Sequence, residues 1–261
     1  MNEFAETAPY YATYRPGIPD AAVRLLTKTV ADRQHPVLLD LGSGTGQVPV
    51  ALHQTFAEID VVERDAGMLA EADKALAGLP DTTVRLHNTA AEQFTPPHPG
   101  WSADLVTICR AFHWMDQPAV LSLLDKCTAQ DATVTVMGDG SLWTARSPWT
   151  DALRTLIQEY TGTDRKAGKD KTYAAHDRPY REILAESAFA ETEKHTIPIE
   201  RIWNPETVIG YLYSTSFASR TLFGERVTEF EERAQALLAE HAADGVLIEH
   251  ARFDVLLGRR P

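Results

Sequence analysis

The stretch that decides the fold is Asp40-Leu41-Gly42-Ser43-Gly44-Thr45-Gly46-Gln47. It continues a short apolar run, residues 37–41, that is typical of a buried parallel strand. A helical stretch follows over residues 46–56, which tolerates Pro49 in its first turn. Glycine at three alternate positions lets the chain turn tightly and brings backbone N–H groups close to a ligand, while the helix N-terminus adds partial positive charge. We therefore predict a ligand-binding turn between a strand and a helix.

An acidic residue ends the next predicted strand. Glu63 lies 21 positions after Gly42 (63 − 42), and an acid at about this spacing can accept hydrogen bonds from ribose hydroxyls. Loop and acid together predict an adenosine-containing cofactor. Dinucleotide-binding folds place their third glycine where this chain has Gln47, so the spacing disfavours a pyrophosphate site.

Strand-like and helical segments alternate along the chain. The predicted strands are residues 37–41, 59–63, 83–87, 103–108, 132–137, 191–202 and 246–257. The predicted helices are residues 19–31, 46–56, 67–77, 91–94, 117–127, 150–160, 178–188, 204–218 and 223–242. This alternation predicts an α/β fold with a doubly wound, mostly parallel, seven-stranded sheet covered on both faces. The last two strands are expected to pair as a hairpin at one edge.

We interpret residues 1–261 as one domain with helical insertions. Residues 1–35 are predicted to form N-terminal cover helices, and residues 36–140 the cofactor-binding core. The sequence pattern changes after Met137. Residues 141–190 and 204–242 are therefore interpreted as cap insertions on the substrate side.

Composition and charge restrict the class of protein. Apolar residues make up 44% of the chain and the formal net charge is −12, which argues against the phosphate backbone of nucleic acid as main partner. Residues 1–10 are acidic and no apolar run approaches the length of a membrane span, so a cytoplasmic protein is expected, either monomer or homodimer. Cys109 and Cys127 are predicted to be buried free thiols. No residue set has the spacing of metal ligands.

Several segments resemble the motifs of the class I S-adenosylmethionine-dependent methyltransferases. These segments are residues 39–46, 62–69, 91–94, 104–108 and 111–114. The resemblance covers residues 1–140 well and the remainder loosely. Residues 11–16 together with His113-Trp114 are similar to a small-molecule branch that includes trans-aconitate methyltransferase-like enzymes.

The resemblance implies S-adenosylmethionine as the cofactor and assigns roles by position. The backbone of the glycine loop approaches the methionine part, and Glu63 holds the ribose hydroxyls. Tyr11 and Arg15 close over the carboxylate, which suits a guanidinium because it can bind bidentately. The backbone N–H of Ala91 faces the adenine. The cofactor residues so assigned are Tyr11, Arg15, Gly42, Gly44, Gly46, Gln47, Glu63, Arg64, Met68, Ala91, Glu92, Arg110 and Ala111.

One position departs from the family pattern. The family often has Asp where this chain has Ala90, and that Asp accepts a hydrogen bond from the adenine amino group. Its absence implies that backbone groups or Glu92 make the contact instead, or that the cofactor binds more weakly.

The reaction implied is transfer of a methyl group to an oxygen or nitrogen atom of a small metabolite by in-line displacement. His113 follows the fourth strand and is a candidate general base or substrate-orienting residue, because imidazole titrates near neutral pH. A carboxylate acceptor would need no base. The candidate substrate residues are His113, Trp114, Trp143, Tyr211 and Tyr213.

Three other functions remain open at this point. The same cofactor could serve non-methylating chemistry such as cyclisation, because a fold does not fix a function. A cofactor-binding scaffold without turnover would also keep the glycine loop and Glu63. A nicotinamide oxidoreductase is opposed by Gln47 and by the absence of a recognisable hydride-transfer partner.

Overall fold

The computed structural model describes residues 7–80, 82–167, 172 and 178–261. Its strands are β1 (Val37–Leu41), β2 (Glu58–Val62), β3 (Thr83–His87), β4 (Ala103–Cys109), β5 (Thr128–Asp139), β6 (Glu191–Trp203) and β7 (Leu247–Arg259). Its α-helices are α1 (Ala8–Tyr14), α2 (Asp20–Lys28), α3 (Gln47–Leu52), α4 (Ala66–Leu76), α5 (Gln117–Cys127), α6 (Pro148–Thr161), α7 (Tyr180–Ala185), α8 (Pro205–Tyr213), α9 (Arg220–Phe223) and α10 (Val227–His241). Short 3-10 helices occupy His53–Thr55, Ala91–Gln93, Phe112–Trp114 and Gly224–Arg226.

The strands form one mixed sheet in the order β3-β2-β1-β4-β5-β7-β6, with β7 antiparallel to its neighbours. This order confirms the predicted doubly wound fold and the pairing of the last two strands at one edge. Strands β1 to β5 pair in parallel, so their carboxyl ends meet at the same edge of the sheet. The strand order reverses direction at β1 and β4, where ligands bind in folds of this type.

The apolar run of β1 is buried on both faces, as the sequence predicted. Leu38, Leu39 and Leu41 are completely inaccessible to solvent. Helices cover such a sheet when they carry apolar side chains at helical spacing, and α5 does so with Val120 and Leu124. Burial of these side chains holds the carboxyl ends of the strands in fixed positions.

Side-chain caps set where several helices begin. Asp65 accepts hydrogen bonds from the backbone N–H groups of Gly67 and Met68 and thereby starts α4. Reciprocal capping boxes start the helices that follow β5 and β6: Ser147 pairs with Thr150 at α6, and Asn204 with Thr207 at α8.

Five of the predicted helices are shorter than the sequence pattern suggested, and for two of them the structure shows why. The helix predicted over residues 204–218 ends at Tyr213, because the hydroxyls of Ser214 and Thr215 bond back to backbone carbonyls in its last turn. The helix predicted over residues 223–242 begins at Val227, because Gly224 adopts a φ of 56° that no α-helix accommodates.

The chain divides into two compact units. The core unit comprises residues 17–138, 176–197 and 253–261, and the helical unit residues 1–16, 139–175 and 198–252. Part of the stretch predicted as cap, residues 178–190, lies in the core unit. The physical reason is that Leu184 and Phe189, both inaccessible to solvent, pack into the apolar core around the sheet.

The two cysteines differ in burial. Cys127 is a buried free thiol, as predicted, and burial raises its pKa to about 11. Cys109 forms no disulfide either but is only half-buried, so the prediction that it is buried is wrong. It is the last residue of β4, where the strand leaves the interior of the sheet.

Candidate cofactor and active site

The glycine loop after β1 lies in a left-handed backbone conformation. Gly42, Gly44 and Gly46 have φ angles of 66°, 57° and 81°, values that side-chain-bearing residues rarely adopt. The N–H groups of Gly42 and Ser43 both donate to the carbonyl oxygen of Val62, at 2.9 and 3.1 Å. The loop is therefore tied to the end of β2.

Space as well as backbone angle requires glycine in this loop. A methyl group added to Gly42 would lie 2.5 Å from Cβ of Ala111, the second residue after β4. A methyl group on Gly46 would lie 3.3 Å from Cβ of Ala72 in α4. The loop thus packs closely against the segment after β4 on one side and against α4 on the other.

Glu63 follows β2 and is held rigidly by backbone donors. Its Oε2 accepts the N–H of Gly44 at 2.9 Å, and its Oε1 accepts the N–H of Asp65 at 2.8 Å. The side chain is buried, which raises the pKa of this carboxyl, although the two N–H donors oppose that rise. Each oxygen keeps a further acceptor position, which is the chemistry that ribose hydroxyls need.

A second buried carboxyl lies under the loop and was not among the predicted site residues. Asp40 accepts hydrogen bonds from the hydroxyls of Ser43 and Thr107, the latter at 2.6 Å. Burial raises the pKa of Asp40 to about 7, against the lowering effect of the two hydroxyls. The Ser43 bond holds the loop to β1, and the Thr107 bond joins β1 to β4. The sequence did contain a signal for this role of Asp40, because an acidic residue inside an otherwise apolar strand needs hydrogen-bond partners.

Asn88, just after β3, was also missed. Its Nδ2 donates to the backbone carbonyls of Glu63 and Arg64, at 2.9 and 3.1 Å. The backbone N–H of Glu63 in turn donates to the carbonyl of His87 at 3.1 Å. These bonds fix the backbone where β2 ends. The sequence carried no signal for them, because they depend on β3 lying beside β2.

The predicted adenine-side residues surround the start of α4 and the turn after β3. Met68 and Ala91 are buried, whereas Arg64 is exposed. Glu92, expected to compensate for Ala90, accepts the backbone N–H of Asp116 at 2.7 Å through Oε1. This bond occupies one carboxylate oxygen and ties the turn to the start of α5.

The segment after β4 carries the residues predicted to lie near the reacting atoms. Arg110 has a φ of 57°, a strained conformation for a residue with a side chain, and its N–H donates to the carbonyl of Met137. Ala111 is buried against Gly42, as described above. His113 is half-buried and Trp114 is 43% exposed, and their rings lie 4.8 Å apart.

The helical unit holds the other predicted residues. The Arg15 guanidinium lies over the rings of Tyr11 and Tyr211, with centroid distances of 5.3 and 4.9 Å. Trp143 is half-buried and packs on Phe217. Within this unit the structure brings Tyr11, Arg15 and Tyr211 together.

Tyr213 is enclosed within the helical unit. The side chain is 2% exposed and its hydroxyl donates to Glu231 at 2.9 Å. Burial raises its pKa well above the usual range, and the Glu231 carboxylate adds to the rise.

The residues that the structure describes contain no group of three or more His, Cys, Asp or Glu side chains that could hold a metal ion. None of the helices in the described ranges is both long and apolar enough to cross a membrane.

Gln47, the residue that separates this loop from the dinucleotide pattern, is the first residue of α3.

The residues at the carboxyl edge of the core unit fit an adenosine cofactor. Gly42 and Gly44 would let the backbone come close to a ligand, and Glu63 would offer acceptors for sugar hydroxyls. The Thr45 hydroxyl is buried with no hydrogen-bond partner in the described part of the chain. A buried polar group destabilises the folded protein unless it has a hydrogen-bond partner. A polar ligand at the loop would satisfy this hydroxyl.

The fold is that of the class I methyltransferases, and the chain is an S-adenosylmethionine-dependent methyltransferase. Residues 38–130, which contain the loop, Glu63 and the β4 segment, match the family model described as "Methyltransferase domain". A Dictyostelium discoideum protein named as a candidate methyltransferase is 22% identical over 245 residues, which is 94% of this chain and 88% of that protein.

Solved structures share the fold. A candidate type II methyltransferase from Anaeromyxobacter dehalogenans superimposes with a TM-score of 0.59 at 18% identity, covering 95% of this chain and 98% of that one. A candidate methyltransferase from Bacillus halodurans gives a TM-score of 0.54 at 15% identity, covering 92% and 99%. At these identities the likeness supports the architecture alone.

Proposed function

We propose that this enzyme transfers a methyl group to an oxygen or nitrogen atom of a small metabolite by in-line displacement. The close approach of Ala111 to Gly42 carries the proposal. It joins the segment after β4 to the loop assigned to the methionine part of the cofactor. The residues that follow Ala111 are therefore the ones expected to meet the acceptor.

When bound, S-adenosylmethionine supplies a methyl group that is already activated by a positively charged sulfur. The main task of the protein is alignment, which can lower the barrier by roughly 7–11 kcal/mol when the reacting atoms are well held. The glycine loop with Gln47 approaches the methionine part, and Glu63 holds the ribose hydroxyls. Arg64, Met68 and the turn at Ala91-Glu92 contact the adenine.

The remaining cofactor residues act near the sulfur and at the carboxylate. Arg110 and Ala111 would border the sulfonium. The resemblance assigns Tyr11 and Arg15, which lie in the helical unit, to the carboxylate, for which a guanidinium offers two parallel donors. The stacking of Arg15 on Tyr11 and Tyr211 supports this assignment, because it holds the guanidinium in a defined plane.

His113 acts on the acceptor. When the acceptor receives the methyl group, the imidazole of His113 would take up the proton that the acceptor loses. If the acceptor is a carboxylate, no proton is lost and His113 orients it instead. The position of His113, two residues after Ala111 and only half-buried, supports either role.

A small acceptor of the kind used by trans-aconitate methyltransferase-like enzymes is favoured over a nucleic acid. The net charge of −12 would repel a phosphate backbone. The exposed ring of Trp114 offers an apolar surface next to His113, and the half-buried Trp143 is a further aromatic candidate, whereas Tyr211 and Tyr213 are buried.

The acceptor class is tested with methyl-labelled S-adenosylmethionine and fractionated low-molecular-weight metabolites. We expect label in a small product together with an equal amount of S-adenosylhomocysteine. The matched control is Gly42→Ala, which disrupts the cofactor loop. Label that appears only in protein or nucleic acid would contradict the proposal.

The role of His113 is tested by His113→Gln and His113→Ala on the acceptor found. Loss of a general base lowers kcat by about 10²–10⁴-fold and flattens the rise of the rate with pH that such a base confers. Loss of an orienting residue raises KM and keeps the pH profile. The affinity of both variants for S-adenosylhomocysteine should stay unchanged. Wild-type kinetics in both variants would exclude both the base role and the orienting role.

A further inference from the structure

Glu92 lies on the turn after β3, and its carboxylate reaches the segment that follows β4. Its Oε1 accepts the backbone N–H of Asp116 at 2.7 Å. A hydrogen bond this short to a charged acceptor belongs to the strong class. Both residues lie in the core unit, which also contains His113 and the glycine loop. The bond therefore joins two turns of one compact unit that are 24 residues apart in the chain.

The segment from Ala111 to Asp116 carries His113 and is held at both ends. At its start, Ala111 packs so closely on Gly42 that a methyl group added to the glycine would lie 2.5 Å from the alanine Cβ. At its end, Asp116 is held by Glu92. Between these two points, His113 is half-buried and lies in a 3-10 helix of three residues. The position of the imidazole therefore depends on both anchors.

The segment has little stability of its own. Inside it, the N–H of Trp114 donates to Ala111 at 2.9 Å and the N–H of Met115 donates to Phe112 at 3.3 Å. A 3-10 helix this short is stable only when tertiary contacts hold it. Phe112 supplies one such contact, because its side chain is buried in the apolar core just before His113. The part of the segment that follows the histidine needs a second one.

A carboxylate suits this second contact. Asp116 is the N-cap of α5, and the N-terminus of a helix carries partial positive charge. The side chain of Asp116 accepts the N–H of Ala119 at 3.1 Å, whereas Glu92 accepts the N–H of Asp116 itself. The two acids thus satisfy different donors at the start of α5. The bond made by Glu92 links that start to the turn after β3.

We propose that Glu92 is a positioning residue for the methyl acceptor: its carboxylate fixes the backbone at Asp116 and thereby sets the place of His113. The inference rests on the proposed function, which assigns His113 to the acceptor. Glu92 acts through the backbone of the segment and does not touch the acceptor. The competing role for this side chain is the adenine contact that the sequence suggested in view of Ala90, and the two roles lead to different losses.

The test compares Glu92→Ala with Glu92→Gln. Glutamine keeps an oxygen that can accept the N–H of Asp116, whereas alanine removes it. Asp73→Ala, which removes an exposed carboxylate from α4, is the control. Calorimetry gives the affinity for S-adenosylhomocysteine. The rate of methyl transfer is measured at saturating S-adenosylmethionine on the metabolite fraction that wild type labels, and amide hydrogen exchange follows residues 112–116.

We expect Glu92→Ala to lower the transfer rate about ten- to hundred-fold, because misplacing a reacting group by about 1 Å can slow a reaction about 10²-fold. Exchange over residues 112–116 should accelerate, and the affinity for S-adenosylhomocysteine should change by less than about two-fold. Glu92→Gln should bring the rate back to within about three-fold of wild type, since a neutral acceptor bonds more weakly than a charged one. Asp73→Ala should alter none of the three quantities.

An unchanged transfer rate in Glu92→Ala would overturn the proposal. Weaker binding of S-adenosylhomocysteine by Glu92→Ala, with a normal rate at saturating cofactor, would assign the side chain to the adenine instead.

Proline at position 116 removes the donor of the bond rather than its acceptor. Asp116 has a φ of −73°, which proline can adopt, and Met115 before it has an extended ψ of 156°, which a residue preceding proline favours. Asp116→Ala is the control, because it removes the same side-chain cap and keeps the N–H. Asp116→Pro should transfer methyl groups more slowly than Asp116→Ala when Glu92 is present, and equally fast in a Glu92→Ala background. A difference that persists without Glu92 would contradict the role of the bond.

His113→Gln separates failure of the inference from failure of the proposed function. If Glu92 acts through His113, adding Glu92→Ala to His113→Gln should lower the rate little further, whereas full additivity would refute the positioning role. If His113→Gln works at the wild-type rate, the assignment of His113 is wrong and the inference falls with it. If His113→Gln is slow but Glu92→Ala is as fast as wild type, the assignment stands and only the positioning role is wrong.

Discussion

The Glu63 carboxylate accepts the backbone N–H of Gly44 at 2.9 Å. This bond joins the acid at the end of β2 to the glycine loop after β1, so the side chain predicted to grip the ribose also holds the loop. Its other oxygen accepts the N–H of Asp65, the cap of α4. A change at Glu63 should therefore affect both the ligand and the shape of its binding loop.

We expect Glu63→Ala to weaken S-adenosylhomocysteine binding by roughly 30-fold or more, since it removes charged acceptors from ribose hydroxyls and from Gly44. Calorimetric titration measures the loss. Asp73→Ala, which removes an exposed carboxylate from α4, serves as the control and should bind like wild type. Normal affinity in Glu63→Ala would contradict the ribose assignment.

Gly42→Ala should destabilise the folded protein by more than the strained backbone angle alone explains. Both Gly42 and Gly78 have positive φ, at 66° and 76°, and the left-handed conformation costs alanine about 1–2 kcal/mol. Only Gly42 faces a close neighbour, the Cβ of Ala111. We therefore expect thermal unfolding to show a larger loss of stability for Gly42→Ala than for Gly78→Ala, with loss of cofactor binding in the former alone. Equal effects of the two substitutions would refute the packing argument.

Asn88→Asp should weaken cofactor binding without unfolding the enzyme. It replaces the amide donor by a carboxylate that faces the carbonyl oxygens of Glu63 and Arg64. Because Asn88 is exposed, water will screen part of the repulsion, and we expect a loss of about three- to ten-fold in affinity. Asn88→Ala, which removes the donor without adding charge, should weaken cofactor binding less. A greater loss of affinity in Asn88→Ala than in Asn88→Asp would show that the amide does not act through those carbonyls.

The Asp40 carboxyl should make stability depend on pH. Its pKa in the folded chain is about 7, above the ordinary 3.8, so the native state keeps a proton that the unfolded chain releases. The resulting stabilisation is complete below about pH 4 and is lost as the pH rises through 7, by roughly 4 kcal/mol at most.

Asp40→Asn removes this titration while keeping the shape of the side chain. Between pH 5 and 8, the unfolding temperature of this variant should fall less steeply with rising pH than that of wild type. Asp73→Asn, at an exposed position, should retain the wild-type slope. Coincident slopes for wild type and Asp40→Asn would mean that Asp40 is ionised throughout this range.

Predictions from the sequence succeeded where the signal was local or periodic. The run Val37–Leu41, the three glycines and Glu63 are encoded by residue type and by spacing within about 20 positions, and the structure places them as expected. The predicted end of α8 was wrong because hydroxyl groups bond back to the backbone there, and the predicted start of α10 was wrong because of the conformation of Gly224.

The sequence by itself determined the class of fold and the position of the glycine loop proposed to bind the adenosyl cofactor, because apolar periodicity and glycine spacing are read within single elements. Only the tertiary structure decided which distant residues meet: Asp40 with Thr107, Gly42 with Ala111, and Gly210 with Tyr14. Such pairs depend on strand order and helix packing. A local pattern cannot specify them, because each partner appears ordinary until the chain brings the two together.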